Sequence, residues 1–458
     1  MNKGLVLKFA SVGARRLPSS CGSASHCIRS EDERGLSEVT DLEAWLLANG
    51  ADLGGGAVRV ARSREPFAGL TATAGRRLYK GEVVASIPRR LVLEVPAVSE
   101  VDRDLELPLT AAAGGRGEWY DVLSTSEGRA AMVTAARELL RERAAGKNSW
   151  LKAYLASLPG PSQLPSVLHP LRTKPWPSAL VSASPLLARL HEEASACNAT
   201  CLQALGGTGA EQRWALAAVV TRNFGLKGPR KGSGALGMLP YFDLFNHCSR
   251  GPSIKPSWTC SFQERGDLLT MVADRIIEQD EDLTFVYAPA PDAALLVQYG
   301  IPPSDRANVH NVAAIEVPPA AMHTEDVDLL QARQTMVSNL GWQDQSRSLL
   351  FAVPSDLRPG GTLRALARLL AMDSADEVRS AGSGLFVKGR RRKAMCLSDL
   401  VEAKSRRLLR GWLGQAKRST GERLGKLWAA TEGWLSEDPD LARAVLAIVE
   451  MEAAILEE

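Results

Sequence analysis

Three polar side chains, Asp243, Asn246 and His247, stand close together in the apolar segment MLPYFDLFNHCSRG, Met238 to Gly251. Its leucine, tyrosine and phenylalanine residues predict a buried strand or turn. A buried amide and imidazole carry several donors and acceptors that need partners. The segment therefore indicates that either the protein's own backbone or a bound ligand supplies those partners.

Other residue patterns that could do chemistry are incomplete. Cys197 and Cys201 lie four positions apart with His191 nearby, which could form half of a zinc site. No second pair of ligands follows at a fitting spacing, so we predict no metal. Dinucleotide-binding and phosphate-binding glycine patterns are missing from the sequence, as is the G-x-S-x-G motif of serine hydrolases. The sequence gives no support to these enzyme classes.

The composition is that of a globular protein. The 458 residues are 45% hydrophobic and 23% charged, with a net charge of +3. This length suits two or three domains of roughly 150 residues each. The small net charge gives no reason to expect nucleic-acid binding, and no apolar run approaches the roughly 20 residues that span a bilayer. Seven scattered cysteines favour a reducing compartment.

The N-terminal residues differ from the rest of the chain. The first thirty contain five lysines and arginines, and no acidic residue precedes Glu31. This composition is typical of an organelle transit peptide, and a disordered tail is the alternative for residues 1–35. We expect a chloroplast protein in the first case and a cytoplasmic or nuclear one otherwise. A second basic run, KGRRRKAM from Lys388 to Met395, fits a nuclear signal, a phosphate-binding patch or a solvated loop.

The remaining sequence divides into three regions. Residues 36–302 begin with an amphipathic helix, LSEVTDLEAWLLANGADL, and continue with short β-rich runs from Ala57 to Val95 that suggest a small curved antiparallel sheet. Residues about 98–205 are rich in Ala, Leu and Glu and predict a helical insertion. A hairpin in SWTCSFQERGDLLTMVADRII and a strand in EDLTFVYAP follow. Residues 303–458 predict helices to the end.

Three segments in this order, VVTRNFGL, LPYFDLFNHCSRG and FVYAPAPDAALLVQYGI, resemble the SET-domain protein methyltransferases. Within them the chain is most similar to the branch of the Rubisco large-subunit lysine methyltransferase, and the resemblance extends to LEAWLLANGADL and SWLKAYLASLP. The resemblance implies an α+β architecture: a knotted SET β-fold with a helical insertion, followed by an all-α C-terminal domain that binds the substrate.

The resemblance also implies S-adenosyl-L-methionine as the cofactor. Arg222 would pair with the cofactor carboxylate, Asn246 would bond the methionyl part, and His247 would hold the adenine side largely through backbone groups. Asp243 would steady the turn, and Tyr299 would complete the pocket. No metal is needed.

The catalytic residue implied by the resemblance is Tyr287, and the substrate channel would be formed by Phe224, Phe242, Tyr287 and Tyr299. Phe224 favours lysine over histidine as the target, because histidine-directed relatives tend to carry a polar group there. A lysine amine must lose its proton before it can attack a methyl group, since its pKa lies near 10.4. An apolar channel that faces a cationic sulfonium favours this loss.

Departures from the family pattern and alternative functions remain open. Ala288 replaces a glycine, Asp292 an asparagine and Cys248 a serine, while Ser86 stands where several relatives carry an acidic residue. We expect a protein-lysine methyltransferase that acts as a monomer on a non-histone protein, with Rubisco large subunit or plastid aldolase as candidates if the transit peptide is real. The alternatives are a protein-histidine methyltransferase and a non-catalytic SET-fold binding module.

Overall fold

The computed structural model describes residues 25–62, 69–97, 126–166, 168–228, 234–249, 257–303, 308–339, 348–354, 361–381 and 399–457. Most of the N-terminal segment weighed as a transit peptide and the whole basic run Lys388 to Met395 lie outside these ranges. Their interpretations therefore stay predictions.

The described residues form a mixed set of helices and strands. The helices are α1 (Ser25–Ala48), α2 (Ser126–Ala145), α3 (Lys152–Ser157), α4 (Ser178–Val181), α5 (Pro185–Ala204), α6 (Ala210–Arg222), α7 (Asp292–Tyr299), α8 (Val327–Asn339), α9 (Gly361–Ala371), α10 (Ala375–Ala381), α11 (Asp399–Glu437) and α12 (Pro439–Glu457). The strands are β1 (Val58–Arg62), β2 (Leu70–Ala74), β3 (Val83–Pro88), β4 (Leu93–Ala97), β5 (Asn223–Lys227), β6 (Gly234–Met238), β7 (Asn246–His247), β8 (Cys260–Arg265), β9 (Leu268–Ala273), β10 (Thr284–Phe285), β11 (Val312–Val317) and β12 (Leu349–Pro354).

The first four strands do not form the single small sheet that the sequence suggested. Only β1 and β2 pair with each other, whereas β3 joins the order β3-β9-β8 and β4 joins the order β4-β6-β5. The short β-rich runs predicted the strands correctly, but a strand's partner is set by packing against distant chain rather than by its own composition. The antiparallel expectation holds within these sheets.

A parallel pair of strands brings the two halves of the candidate site together. Asn246 in β7 lies opposite Thr284 in β10, and His247 lies opposite Phe285. The β8–β9 hairpin, predicted from sequence, lies in the intervening chain. The segment FNH, residues 245–247, which we call the FNH segment, therefore runs beside the segment that leads to Tyr287. A knot in the chain stays a prediction.

The helical insertion packs against α6, the helix that leads directly into β5. Helix α2 contacts α6, and every residue of α6 from Trp214 to Val220 is buried. A helix with apolar residues all round is one that is enclosed on every side. Arg222 ends α6, so this enclosure fixes the position of its side chain relative to the sheets.

The last third of the chain is not entirely helical. Strands β11 and β12 form an antiparallel pair, with Val312 opposite Pro354 and Val317 opposite Leu349. The sequence prediction of an all-α region missed them because both are short apolar runs, and periodicity alone does not separate such a buried strand from a piece of buried helix. Five of the six residues of β11 are buried.

One hydrophobic core joins the C-terminal helices to the preceding part of the chain. It contains Leu187 and Leu190 of α5, Leu296 of α7, and Val445 and Ile448 of α12. Within the described part of the chain, no helix is both long and apolar enough to cross a membrane.

Candidate active site

A cavity of about 580 Å³ lies between the end of α6, the turn after β6, the β8 strand and the segment after β10. Its volume falls within the range of roughly 300–1,000 Å³ that small-molecule sites occupy. It is lined by Met132, Thr221, Arg222, Asn223, Phe224, Gly225, Asp243, Trp258, Cys260, Ser261, Phe262, Phe285, Val286, Tyr287, Ala288, Pro289, Gln298, Tyr299 and His310. Five residues singled out from sequence are among them: Arg222, Phe224, Asp243, Tyr287 and Tyr299.

An ion pair between the partly buried Arg222 and the buried Asp243 carboxylate forms the polar side of this cavity. The Nη1 atom of Arg222 lies 3.2 Å from Oδ2 of Asp243 and donates to it and to the Asp243 carbonyl oxygen. The hydroxyl of Tyr154, on α3, donates to the same Oδ2 at 3.0 Å. Burial raises the pKa of the Asp243 carboxyl, while Arg222 and the hydrogen bond from Tyr154 lower it. The guanidinium and the phenol therefore offset part of the effect of burial on this carboxyl.

One donor of the guanidinium has no partner in the part of the chain that the structure describes. The Nε atom of Arg222 is buried and forms no hydrogen bond with the described residues. An unmet buried donor on a cation costs free energy, and an anionic ligand in the cavity would satisfy it. Arg222 therefore fits the role of a carboxylate-binding residue on an observation that is independent of any resemblance.

The turn that carries Asp243 is held in an unusual conformation. Tyr241 has a φ of 74°, which side-chain-bearing residues rarely adopt, and a short 3-10 turn over Phe242–Leu244 follows it. The Tyr241 side chain is 1% exposed, and its hydroxyl donates to Oε1 of Glu43 in α1 at 2.8 Å. Strained backbone of this kind persists where the surroundings over-determine it and is concentrated at functional sites. Here it directs Asp243 towards the cavity.

His247 uses its side chain to position Tyr287. Its Nδ1 accepts the backbone N–H of Tyr287 at 3.1 Å, and its Nε2 lies 3.1 Å from Oγ of Ser249. Burial, with a smaller contribution from the nearby His310, lowers the pKa of His247 to about 4. The imidazole is therefore neutral at physiological pH and both of its nitrogens are engaged. His247 does not line the cavity, so any contact with a ligand would be through its backbone.

Tyr287 is fixed at both its backbone and its hydroxyl. The hydroxyl donates to the carbonyl oxygen of Phe245 at 2.9 Å. Burial raises the pKa of Tyr287 well above its ordinary value, while Arg222 lowers it and Asp243 and Tyr299 raise it. The phenol is therefore neutral near pH 7 and has accepting lone pairs left over after it donates to Phe245.

Aromatic rings line the other side of the cavity. The ring centroids of Phe224 and Phe285 lie 5.5 Å apart, those of Phe285 and Tyr287 4.8 Å, and those of Tyr287 and Tyr299 5.5 Å. Phe262 lies 5.4 Å from Phe224. These distances are typical of interacting aromatic pairs, and the faces of such rings attract cations. The cavity thus has an anion-binding side and a cation-tolerant apolar side.

Besides His247, two residues predicted for the site lie outside the lining of the cavity. Phe242 is completely buried and packs behind the lining against Phe245 and Phe262, so it is a core residue here rather than a channel residue. Asn246 is half-buried in β7, and its side-chain amide makes no hydrogen bond to the described residues. That amide is available to a ligand.

Several cavity residues were missed by sequence reasoning. Trp258 donates through its indole N–H to Oδ2 of Asp274 at 2.6 Å, and Ser261 donates to Oδ1 of the same carboxylate at 2.9 Å. Asp274 thereby positions two side chains of the lining. Tyr154 was quoted within the segment SWLKAYLASLP, yet no spacing linked it to Asp243, 89 residues further along.

Asp292, noted in the sequence as a departure from the family pattern, joins α7 to the loop that carries His310. Its Oδ1 accepts from Nδ2 of Asn308 and its Oδ2 from Nδ2 of Asn311, both at 2.8 Å. The backbone N–H of Asp292 donates to Oδ1 of Asn311, also at 2.8 Å. Burial raises the pKa of this carboxyl and the two amides lower it. The two amide donors explain why a carboxylate suits this position.

The cysteines weighed as half of a metal site lie elsewhere. Cys197 and Cys201 are both buried in the hydrophobic core on α5. Among the described residues, no group of three or more His, Cys, Asp or Glu side chains is arranged to hold a metal ion.

Comparison with known proteins supports the fold. No protein-family model and no curated protein sequence matches the chain. Solved structures do match it over most of its length: Rubisco LSMT bound to AdoMet has a TM-score of 0.57 and 16% identity, covering 92% of this chain and 90% of that one. The SET domain of LSMT bound to lysine and AdoHcy has a TM-score of 0.55 and 14% identity, covering 92% and 89%. Rubisco LSMT bound to sinefungin and monomethyllysine has a TM-score of 0.51 and 16% identity, covering 92% and 90%. The chain has a SET-type fold.

Proposed function

We propose that this protein is an S-adenosyl-L-methionine-dependent methyltransferase that modifies a lysine side chain of a non-histone protein. The observation that carries the proposal is one cavity in which a buried guanidinium with an unmet Nε donor faces a neutral tyrosine and a row of aromatic rings. Solved proteins of this fold hold AdoMet and lysine, which supports the same pair of ligands here. No cysteine-rich segment of the kind common in histone-directed SET enzymes flanks the site in the sequence.

The residues present fit the cofactor. Arg222 would bind its carboxylate through Nε and a second guanidinium nitrogen, while Asp243 holds the guanidinium plane in place. The free amide of Asn246 would bond the methionyl part. Ser86, singled out in the sequence, lies in β3 opposite Thr270 of β9, and the described contacts give it no place in the cavity. S-adenosyl-L-methionine, when bound, would supply a methyl group on a positively charged sulfur.

The aromatic side of the cavity favours a neutral amine. An ammonium that enters between Phe224, Phe285 and Tyr287 loses most of its water, and this desolvation lowers the pKa of the lysine. At the opening of the cavity the aromatic rings attract a cation and so partly offset its loss of water. The same rings also accommodate the methylated product. A lysine therefore arrives as a cation and releases its proton to water as it moves inward.

Tyr287 orients the amine rather than removing its proton. Its raised pKa makes the phenolate scarce near pH 7, so the hydroxyl is a poor base. Because its proton is directed to the Phe245 carbonyl, its lone pairs face the incoming N–H group. Catalysis then consists mainly of holding the amine nitrogen in line with the bond that breaks, an effect that can contribute roughly 7–11 kcal/mol in well-oriented reactions.

The test is transfer of a radiolabelled methyl group to proteins of a photosynthetic-cell lysate, followed by mass spectrometry of the labelled band. We expect labelled lysine with the wild type and loss of labelling in the Tyr287→Phe and Arg222→Ala variants. Tyr79→Phe is the matched control, since Tyr79 is exposed and is not part of the cavity lining. Calorimetry with the cofactor should show binding to Tyr287→Phe and none to Arg222→Ala. Labelled histidine, or labelling that survives in Tyr287→Phe, would contradict the proposal, and cofactor binding without labelled protein in any lysate would favour the binding module.

A further inference from the structure

Positive charge is concentrated in one part of the chain. From Lys388 to Lys426 the sequence contains thirteen Lys and Arg residues and three acidic ones, a net charge of +10. Because the whole chain carries +3, the remaining residues carry a net −7. Such an asymmetry between parts of a chain indicates a binding surface for a negatively charged partner.

Helix α11, Asp399–Glu437, carries most of the described charges of this part on its outer side. Its inner side packs on α9, α12 and β11 through buried residues such as Val401, Trp412 and Ala416. The outer side exposes Arg406, Arg407, Arg410, Lys417 and Arg418. None of these five forms an ion pair within the described ranges, whereas Lys404 and Glu402, nearer the packed side, pair with Asp373 and Arg368.

The outer residues follow the spacing of a helix-packing surface. Steps of three and four residues, with a last step of seven, place one row along the helix, which we call the outer seam: Arg407, Arg410, Gly414, Lys417, Gly421, Gly425, Trp428 and Leu435. Residues at such spacings lie above one another on one face and meet a partner helix together. A Cβ atom added at Gly421 or Gly425 would meet nothing within 4 Å, so packing inside the protein does not require these glycines.

The seam also exposes apolar surface at its C-terminal end. Trp428 is 53% exposed and Leu435 36%, and both lie on the same face as the basic residues. A buried tryptophan at the centre of a protein interface is among the strongest anchors known. The seam glycines have no side chain, so the backbone of a partner helix can approach α11 closely there. Carboxylates along the edges of that helix would then reach the guanidinium groups of the seam.

We propose that the outer seam of α11 docks an acidic amphipathic helix of a partner protein. The apolar end of the seam favours a protein over a nucleic acid, whose phosphates need only the basic residues. The inference does not depend on methyl transfer, since it rests on charge, spacing and exposure of a helix that contributes no residue to the cavity.

The test uses full-length protein and a fluorescein-labelled synthetic helix with glutamate along both edges of an Ala- and Leu-lined face. Fluorescence anisotropy should show saturable binding that weakens as salt is raised. A scrambled peptide of the same composition keeps the charge and loses the amphipathic pattern, and we expect it to bind at least tenfold more weakly. Equal binding of both peptides would overturn the docking of a helix.

Charge reversal locates the surface. We expect the triple variant Arg407→Glu, Arg410→Glu, Lys417→Glu to lower the affinity at least tenfold. The matched control reverses three exposed lysines elsewhere, Lys80→Glu, Lys147→Glu and Lys152→Glu, and should change it less than twofold. Cofactor calorimetry on both triples reports folding independently of docking. Equal losses in the two triples would contradict the seam.

A glycine substitution separates helix packing from simple charge attraction. Gly421→Gln adds a good helix former in open space, so it should raise the melting temperature slightly while lowering peptide affinity at least fivefold. Trp428→Ala should lower it by a similar factor. Unchanged affinity in both variants, or tighter binding of a 20-nucleotide DNA strand or of phosphatidylserine vesicles than of the helix, would overturn the proposal.

Discussion

Two buried carboxyls, Asp243 beside the cavity and Glu452 in α12, both lose their contact with water in the folded protein, but they have different partners. Burial raises the pKa of both. Asp243 keeps a guanidinium and a phenol as partners, whereas Glu452, 1% exposed, accepts a 2.6 Å hydrogen bond from Ser184 at the start of α5. Arg423 acts on Glu452 only as a weaker charge, and the pKa of Glu452 rises to about 7.

The difference separates a binding role from a joining role. An ion pair kept beside a cavity holds a cation ready for an anionic ligand. A carboxyl paired with a hydroxyl changes charge near neutrality and joins α12 to α5, where Ser184 also accepts the backbone N–H of Leu187 at 3.1 Å. The first leaves a guanidinium at the cavity wall, while the second gives the junction between the two helices a carboxyl whose pKa lies near neutrality.

The largest expected effect comes from removing the guanidinium. Arg222→Met leaves Asp243 as an unpaired buried charge, and we expect it to lower the free energy of unfolding by about 4 kcal/mol. Urea denaturation at pH 8 measures this. The double variant Arg222→Met, Asp243→Asn should recover most of the loss, and a single variant as stable as the wild type would show that Asp243 is not paired as described.

The second effect is on pH dependence. A folded-state pKa raised above 4.5 means that the folded chain binds the proton more tightly, so stability falls as pH rises from about 5 to 8 and levels off above the folded pKa of about 7. Glu452→Gln should remove this loss, which approaches about 3 kcal/mol. Unfolding free energies at pH 5 and pH 8 check it, with the exposed Glu422→Gln as control. A difference between variant and wild type that is the same at both pH values would contradict it.

A third variant compares Asp243 with another buried acid near the cavity. Asp292→Asn turns an accepting oxygen into a donor that faces the donating amide of Asn308 or Asn311. We expect a loss of about 2 kcal/mol in the free energy of unfolding. Asn311→Asp in the same background restores an acceptor and should recover part of the loss, and failure of Asp292→Asn to destabilise would refute the proposed pairing.

The smallest effect concerns Tyr154. Tyr154→Phe removes one of the hydrogen bonds to Asp243 and leaves its ion pair, so we expect a loss of about 1 kcal/mol in urea denaturation. Cofactor affinity should fall less than threefold, in contrast to its loss in Arg222→Ala. A loss of affinity as large as that of Arg222→Ala would show that the phenol, rather than the guanidinium, organises this side of the cavity.

The sequence predicted secondary structure correctly where the pattern of a single segment is sufficient to determine it. Helices α2 and α5 and the β8–β9 hairpin formed as their periodicity and turn residues predicted, with Gly266 at a φ of 63° in the hairpin turn. Helix α1 was predicted from Leu36 but begins at Ser25, inside the segment predicted as a transit peptide or a disordered tail. Strands β11 and β12 did not, because six-residue apolar runs carry no distinguishing period. The pairing of β3 with β9 rather than with its neighbours depends on chain nearly two hundred residues away.

The candidate site was partly predictable for the same reason. Arg222, Asp243 and Tyr287 belong to recognisable segments, and all three line the cavity. Tyr154, Asp274 and the two asparagines around Asp292 act through long-range hydrogen bonds, which no local pattern encodes. Phe242, predicted for the channel, is buried outside the cavity lining, and its position depends on the 3-10 turn after the unusual Tyr241 conformation, which no local pattern predicts.

The pairing of β7 with β10 has a consequence for biosynthesis. The cavity lining runs from Met132 to His310, and its central segment is completed only when Thr284 and Phe285 lie beside Asn246 and His247. A nascent chain must therefore leave the ribosome to about residue 310 before the site can close. Until then the apolar FNH segment is exposed without its partner strand. Chaperones bind exposed apolar segments of this kind.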